Sequence, residues 1–260
     1  MPEFGQNKSI DGRIMSTQGN VKESQSAVKD SNGTILYKLA GVTALVLLAY
    51  SLVTMVLMVT FGGQPQTAQA VFAMLQTNRL VGFLRLDGLT ILVMPLYFLL
   101  FFGLYTVLKE SDGAFAGLAS LLVFAGLTLF LATPSVFSWL ALCDKFAAST
   151  DPVQKNLLLA AGEAILASDL WHGSGAILGG ILLQTGASVM ALVMLGSRAF
   201  GRLTAWLGVV MFGLDLAHLL IAFFFPAGGV ILMAIAGTLY LAWFPLLARD
   251  FFRLTRRSSE

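Results

Sequence analysis

The chain has 260 residues, of which 57% are hydrophobic and 12% are charged, and its mean hydropathy is +0.81. Soluble domains carry about 25% charged residues, so this composition excludes an ordinary water-soluble fold and predicts an integral membrane protein. The formal net charge is only +2, and the basic residues cluster near the ends of apolar runs. That distribution is typical of topology signals, and we expect no nucleic-acid partner.

The first segment, residues 1–33, is rich in Ser, Gln, Asn, Gly and charged residues. It has too little apolar area to offset the entropy of ordering, so we expect a disordered polar tail. It also lacks the short apolar core and small-residue cleavage site of a signal peptide. The hydrophobic run that follows is therefore expected to remain as a helix.

Six apolar runs within residues 34–250 are long enough to cross a membrane. The first, residues 39–61, contains no charge and reaches about 34 Å at 1.5 Å per residue, whereas the hydrocarbon core is about 30 Å thick. Backbone groups in lipid must bond within their own segment, and no run alternates with a period of two. We therefore predict an all-α bundle of six transmembrane helices at residues 39–61, 88–108, 114–143, 173–197, 203–225 and 226–248.

Two connections are long, residues 62–87 and 144–172, and both are too apolar for free coil. In the second, Val153, Leu157, Ala161 and Ile165 lie near one helical face, and Pro152 after Asp151 is typical of a helix start. Both connections are interpreted as short amphipathic interfacial helices. The alternative is that each extends the following span outward.

The positive-inside rule gives the orientation. With the N-terminus inside, the outer segments hold only Arg79, Arg85, Lys145 and Lys155. The two termini, including the basic tail at residues 251–260, are therefore predicted to be cytoplasmic, and both amphipathic segments to be on the outer side of a bacterial plasma membrane. The inner segments hold the other basic residues, which are Lys8, Arg13, Lys22, Lys29, Lys38, Lys109, Arg198, Arg202, Arg249, Arg253, Arg256 and Arg257.

Ionisable residues inside a span are costly and usually face the bundle interior with a partner. Asp215 and His218 are three residues apart, so they share a helical face in the outer half of the fifth predicted span. Other polar residues begin the second and fourth spans at the same depth. The sequence predicts an outward-facing polar pocket that binds a small or lipid-like ligand, made by Arg85, Asp87, Asp169, His172, Gln184, Asp215 and His218.

The leading interpretation of this pocket is a non-enzymatic binding, transport or accessory function, without metal or cofactor. One alternative is an intramembrane hydrolase, which could be metal-dependent, using Asp215, His218 and His172. Against it, Asp215 and His218 are expected to hydrogen-bond to each other or to Gln184 and Ser188 across the bundle.

The stretch SDLWHGSGAI at residues 168–177 places Asp169, His172 and Ser174 close together. A rhomboid-type serine protease would need a glycine at the position of His172 and a histidine on another helix. We therefore favour Ser174 as a helix cap over Ser174 as a nucleophile.

The GxxxG pattern at Gly175 and Gly179 allows a second helix to approach closely, either from the same chain or from another subunit. A third interpretation of the protein is accordingly a structural subunit of a membrane complex or a homo-oligomer.

Proline residues at positions 95, 134 and 245 each remove a backbone N–H from a span and favour a kink.

Three stretches carry a resemblance to a known family: TAQAVFAMLQTNRLVGFLRLDGL, GLYTVLKESDGAFAGLAS and GRLTAWLGVVM. Over about residues 35–255 the chain resembles an uncharacterised family of bacterial six-helix membrane proteins, a domain-of-unknown-function family. Its members place a small acidic or basic pair where the first outer loop meets the second span, as Arg85 and Asp87 do here. The resemblance implies six spans and no established activity, and it matches neither His172 nor His218 to a family motif.

Overall fold

The computed structural model describes the backbone of residues 7–62, 64–133, 136–169 and 172–257, with side chains from residue 33 onward. All the regular structure in these ranges is helical. The helices are α1 (Asn7–Phe61), α2 (Ala68–Thr77), α3 (Arg79–Arg85), α4 (Gly88–Val93), α5 (Pro95–Leu131), α6 (Val136–Ala148), α7 (Pro152–Leu166), α8 (Ser174–Gly196), α9 (Arg202–Ile221) and α10 (Pro226–Arg257).

Five helical stretches among the described residues are long and apolar enough to cross a membrane. They are Gly33–Phe61, Gly88–Ala148, Ser174–Gly196, Arg202–Ile221 and Pro226–Arg257. The prediction of an all-α membrane protein is confirmed at this level. The second stretch contains two of the six predicted spans, at residues 88–108 and 114–143.

Helix α5 reverses direction at Asp112, whose backbone is non-helical (φ −152°, ψ 90°). The rings of Phe98 and Phe124 lie 5.3 Å apart, whereas a continuous helix would separate these residues by about 39 Å. The Asp112 carboxylate accepts a hydrogen bond from the backbone N–H of Phe115 at 3.1 Å and so caps the helix after the turn. Helix α5 is therefore a helical hairpin with a first limb at residues 95–111 and a second limb at residues 113–131.

The connections between the long helices lie at two opposite ends of the bundle. At one end, which we call the basic end, a single cleft is lined by Tyr37 near the start of the first apolar stretch, Ser111 at the α5 turn, Arg198 between α8 and α9, and Arg257 at the close of α10. The opposite end, which we call the capped end, carries the short helices α2, α3, α6 and α7. The beginning and the end of the apolar region therefore lie on the same side of the bundle.

The main core is aromatic and lies between α9, α10 and the first limb of α5. The ring of Phe212 is 6.2 Å from Phe101 and 5.1 Å from Trp243, and Tyr97 is 6.4 Å from Phe244. Phe101, Phe212, Trp243 and Phe244 are all at most 1% exposed. Aromatic pairs at these separations stabilise beyond the area they bury, so this cluster fixes the positions of three helices relative to one another.

Glycines allow α8 to approach the second limb of α5 closely. A Cβ added to Gly179 would lie 2.7 Å from the backbone oxygen of Gly126, and one added to Gly186 would lie 2.6 Å from that of Ala119. Gly175 faces the hydroxyl of Thr133, with 3.1 Å to an added Cβ. The close approach predicted for Gly175 and Gly179 is therefore made within the chain, against α5.

A second, smaller core joins the helices of the capped end. Phe72 of α2 packs against Trp139 and Phe146 of α6, with ring centroids 6.0 Å and 4.8 Å apart. Glu163 of α7 accepts a hydrogen bond from the backbone N–H of Ala68 at 2.8 Å, at the start of α2. The two long connections thus form separate helices that pack on each other, and neither merely extends a neighbouring span.

The exposed guanidinium of Arg79 donates two hydrogen bonds to Asp144, at 2.6 Å and 3.0 Å, and so links α3 to α6. This bonding raises the pKa of Arg79 above its ordinary value. Both side chains are solvent-exposed, so the pair adds little to the stability of the fold. Its main effect is on the position of α3 relative to α6.

Several helix boundaries differ from the predictions. Helix α1 begins at Asn7, inside the segment predicted to be disordered, and residues 1–6 lie outside the described part of the chain. The third predicted span, residues 114–143, ends as a helix at Leu131, shortly before Pro134, because the residue before a proline is disfavoured in the helical conformation. Of the three prolines predicted to favour kinks, Pro95 begins α5, Pro245 lies inside α10, and Pro134 lies outside the described residues.

The prediction that Ser174 caps α8 is wrong. Ser174 is the first helical residue, and the capping position belongs to Gly173, which has an extended backbone and no side-chain cap bond. In contrast, the start predicted for the helix at Pro152 is confirmed, since Asp151 occupies the N-cap position and accepts a hydrogen bond from the N–H of Val153 at 3.0 Å.

Candidate functional site

The carboxylate of Asp215 is the centre of a polar network that joins three apolar helices. Its Oδ2 atom accepts hydrogen bonds from the Tyr240 hydroxyl at 2.7 Å and from the Gln184 amide nitrogen at 3.1 Å. Asp215 lies on α9, Gln184 on α8 and Tyr240 on α10. Because charge-assisted hydrogen bonds are stronger than neutral ones, this carboxylate holds the three helices in a fixed register.

The register follows from small residues on α8 and α9. A Cβ added to Gly208 would lie 3.1 Å from that of Ala191, and one added to Gly180 would lie 3.0 Å from the side chain of Leu219. The two antiparallel helices therefore approach closely on both sides of the Gln184–Asp215 pair. Backbone packing, rather than the polar contact alone, places Gln184 opposite Asp215.

Two buried polar atoms on α8 have no hydrogen-bond partner among the described residues. They are the Oε1 of Gln184 and the Oγ of Ser188, and both atoms are buried. Gln184 and Ser188 are four residues apart on α8 and so lie on one helical face. Buried polar atoms are nearly always satisfied in folded proteins, so these two atoms mark a place where a further donor fits.

His218, one turn beyond Asp215, binds the backbone instead of the carboxylate. Its Nδ1 lies 3.0 Å from the carbonyl oxygen of Gly229 in the first turn of α10. At that position the ring nitrogen donates to the carbonyl, and the bond ties the end of α9 to the beginning of α10. The expected hydrogen bond between Gln184 and Asp215 is present, with the Gln184 amide as donor, whereas His218 bonds to the backbone of α10.

Asp169 and His172 form a local pair at the start of α8. The Asp169 carboxylate, which is almost fully buried, lies 3.0 Å from the Nδ1 of His172 and accepts a bond from the His172 backbone N–H at 3.1 Å. The imidazole itself is about half exposed. This geometry shapes the turn before α8 and orients the ring of His172 at the capped end.

Arg85 ends α3 and Asp87 precedes α4, and Arg85 contacts Phe61 at the end of α1. The carbonyl of Arg85 accepts a bond from Gln64 at 2.7 Å, and its guanidinium stacks over Phe61 at 6.0 Å from the ring centre. Asp87 has a left-handed backbone (φ 67°), a conformation that Asp tolerates better than most residues. These two residues thus shape the junction between the capped end and the bundle.

The structure brings together only some of the residues predicted to form the pocket. Asp215 pairs with Gln184 and Asp169 pairs with His172, but Asp215, His218 and His172 do not form a group that could hold a metal ion within the described part of the chain. Each of the three has a different principal partner. The polar residues predicted for one pocket are therefore divided among separate contacts in the described structure.

Sequence reasoning missed Tyr240 and Asp250. Tyr240 lies near the middle of α10, whereas tyrosines of membrane helices usually lie at the interface, so its depth was the signal. Asp250 lies among arginines at the basic end and is 4% exposed, and its carboxylate accepts a bond from the Gly201 N–H at 2.9 Å. It therefore caps α9 from another helix, which spacing along the chain could not reveal.

Comparison with models of protein families, with curated proteins and with solved structures found no match for this chain.

Proposed function

We propose that the chain is a non-enzymatic protein of the bacterial plasma membrane that binds a small cationic ligand at Asp215, in order to transport or sense it. The observation that carries the proposal is the Asp215 carboxylate, bonded to Tyr240 and Gln184 inside helices apolar enough to span a membrane. Ionisable groups at such depth are usually functional, since an apolar residue would be less costly.

The chemistry of the site favours a ligand that is positively charged and donates hydrogen bonds. Asp215 contributes a carboxylate, and the two unpartnered atoms on α8, Gln184 Oε1 and Ser188 Oγ, can both accept. A primary ammonium group would supply three donors and one positive charge. It would satisfy these acceptors and offset the cost of a buried carboxylate.

The proposal includes a topology of six spans with both termini in the cytoplasm. The reversal of α5 at Asp112 supports it, because the stretch Gly88–Ala148 then crosses twice. The clustering of Lys and Arg at the basic end supports a cytoplasmic position for that end. The capped end would then face outward and Asp215 would lie in the outer half.

Ligand-induced stabilisation of the purified full chain tests this function. We expect methylammonium chloride to raise the melting temperature in detergent saturably, because a ligand that binds only the folded state stabilises it. Tetramethylammonium chloride at equal concentration carries the same charge without N–H donors and should have little effect. Asp215→Asn should abolish the difference between the two salts.

Asp112→Asn is the matched control. It also removes one carboxylate, but at the basic end, and Asn caps a helix about as well as Asp, so the methylammonium response should persist. Equal melting curves in the two salts for the unmodified protein would contradict a cation site and favour a purely structural role. A response that survives Asp215→Asn would place the site elsewhere.

A further inference from the structure

The basic end carries a second feature that the Asp215 site does not use, a cleft between four chain segments. Its volume is about 350 Å³, which is within the usual range for small-molecule sites. Its walls come from the start of the first apolar stretch, the α5 turn, the α8–α9 connection and the end of α10. The residues that line it are Tyr37, Val107, Glu110, Ser111, Ser197, Arg198, Ala199, Leu254 and Arg257.

The cleft has an excess of positive charge. Arg198 and Arg257 are permanently charged, and both are exposed, while Glu110 is the single acidic residue in the lining. Neither arginine lies within ion-pair distance of Glu110 in the part of the chain that the structure describes. The two guanidinium groups are therefore available to an anion from outside.

Hydroxyl groups complete a set of donors suited to oxygen anions. Tyr37, Ser111 and Ser197 are among the lining residues, and each carries a hydroxyl group. The Ser197 oxygen accepts a bond from the N–H of Ala199 at 3.1 Å, which leaves its own proton free to donate. Two arginine forks with several hydroxyl donors match the oxygens of a phosphate, because guanidinium binds phosphate through paired hydrogen bonds.

We propose that this cleft binds a phosphate group, and that its source is the headgroup of an anionic phospholipid. The apolar side chains of Val107 and Leu254 lie in the same lining, so acyl chains would meet apolar surface beside the charged groups. Basic pockets between transmembrane helices at the cytoplasmic side are the recurrent form of headgroup sites. The proposal does not depend on the Asp215 site, which lies elsewhere in the bundle.

Native mass spectrometry of the full chain in neutral detergent tests the proposal. We expect phosphatidylglycerol to bind more tightly than phosphatidylcholine. The double variant Arg198→Gln/Arg257→Gln should weaken phosphatidylglycerol binding about tenfold or more, because it removes both guanidinium groups that would bond to the phosphate. The matched control is Lys38→Gln/Arg249→Gln. It removes the same charge from exposed positions at the same end but outside the lining, and should retain most of the binding.

Glu110→Gln is a second variant that keeps the test independent of any loss of folding. It removes the one negative charge of the lining, so it should strengthen phosphatidylglycerol binding. An arm with inorganic phosphate distinguishes the source. If phosphate stabilises the protein, the Arg198→Gln/Arg257→Gln variant loses that effect, and the two lipids bind equally, the ligand is a soluble phosphate. Equal binding of the two lipids without a phosphate effect, or equal losses in the cleft and control variants, would overturn the proposal.

Discussion

The hydroxyl of Thr204 donates a hydrogen bond of 2.7 Å to the carboxylate of Asp250, although the two residues lie on different helices and 46 positions apart. The same carboxylate oxygen accepts the N–H of Gly201, and the carbonyl of Thr204 accepts the indole N–H of Trp243 at 3.0 Å. The beginning of α9 is thus held by α10 through side chains that are buried. This relationship makes Asp250 a structural residue of the basic end.

Asp250→Ala should lower the free energy of unfolding by about 2 kcal/mol, because it leaves the donors at the start of α9 without an acceptor. The melting temperature of the detergent-solubilised protein measures the effect. Arg253→Ala serves as the control, since its guanidinium lies 3.7 Å from Asp250 and its side chain is about half exposed. A loss in the control as large as that of Asp250→Ala would refute the capping role.

Gly179→Ala should destabilise the protein by about 2 kcal/mol, because the added methyl group would meet the backbone of the facing helix, which cannot rotate away. The nearest atoms are the oxygen of Gly126 at 2.7 Å and the nitrogen of Phe130 at 3.0 Å. Gly117→Ala is the matched control, since an added Cβ there meets nothing within 4 Å in the described structure. Thermal unfolding of both variants measures the difference in stability. Similar melting temperatures would contradict the close approach of α8 to α5.

Tyr240→Phe should lower stability by about 1.5 kcal/mol, because Asp215 loses its shorter hydrogen bond while the ring remains in place. The ring of Tyr240 packs 6.0 Å from Phe212 and 5.5 Å from Phe244, contacts that phenylalanine retains. Tyr105→Phe makes the same chemical change outside the Asp215 network and is expected to be nearly neutral. If both variants melt like the unmodified protein, the bond to Asp215 contributes nothing to stability.

Cysteine labelling in intact cells should place residues 33 and 113 on one side of the membrane and residue 156 on the other. Single cysteines at Gly33 and Gly113 are sterically acceptable, since an added Cβ meets nothing within 4 Å of either in the described structure. Asn156 is exposed on α7. In a Cys143→Ala background, an impermeant maleimide should label Asn156→Cys only, whereas Gly33→Cys and Gly113→Cys should react after the membrane is permeabilised.

Labelling of Gly113→Cys from outside would contradict the six-span topology, because the α5 turn would then lie on the outer side. Labelling of all three before permeabilisation would show a loss of membrane integrity, which a cytosolic control protein detects in the same experiment. Under the proposed topology, Gly33→Cys and Gly113→Cys give the same pattern because both positions belong to the basic end.

The class of the protein and most of its helices were determined by sequence alone. A long apolar run must close its own backbone hydrogen bonds in lipid, so length and composition are sufficient to predict a helix. The hydrophilic stretch around Asp112 likewise separated two predicted spans where the structure reverses. The start of α7 at Pro152 was predictable because Asp151 and Pro152 act on neighbouring backbone groups.

What only the tertiary structure decided were the partners of the polar side chains. Gln184 was one of several predicted partners of Asp215. That Asp215 meets Gln184, and that Tyr240 joins them, depends on how closely glycines let α8 and α9 pack and on the aromatic rings that fix α10. Ser174 was predicted as a cap because of its residue type, but the backbone leaves the helix one residue earlier, at Gly173. Asp250 could not be foreseen as the cap of α9, because its role depends on a contact between helices that only folding creates.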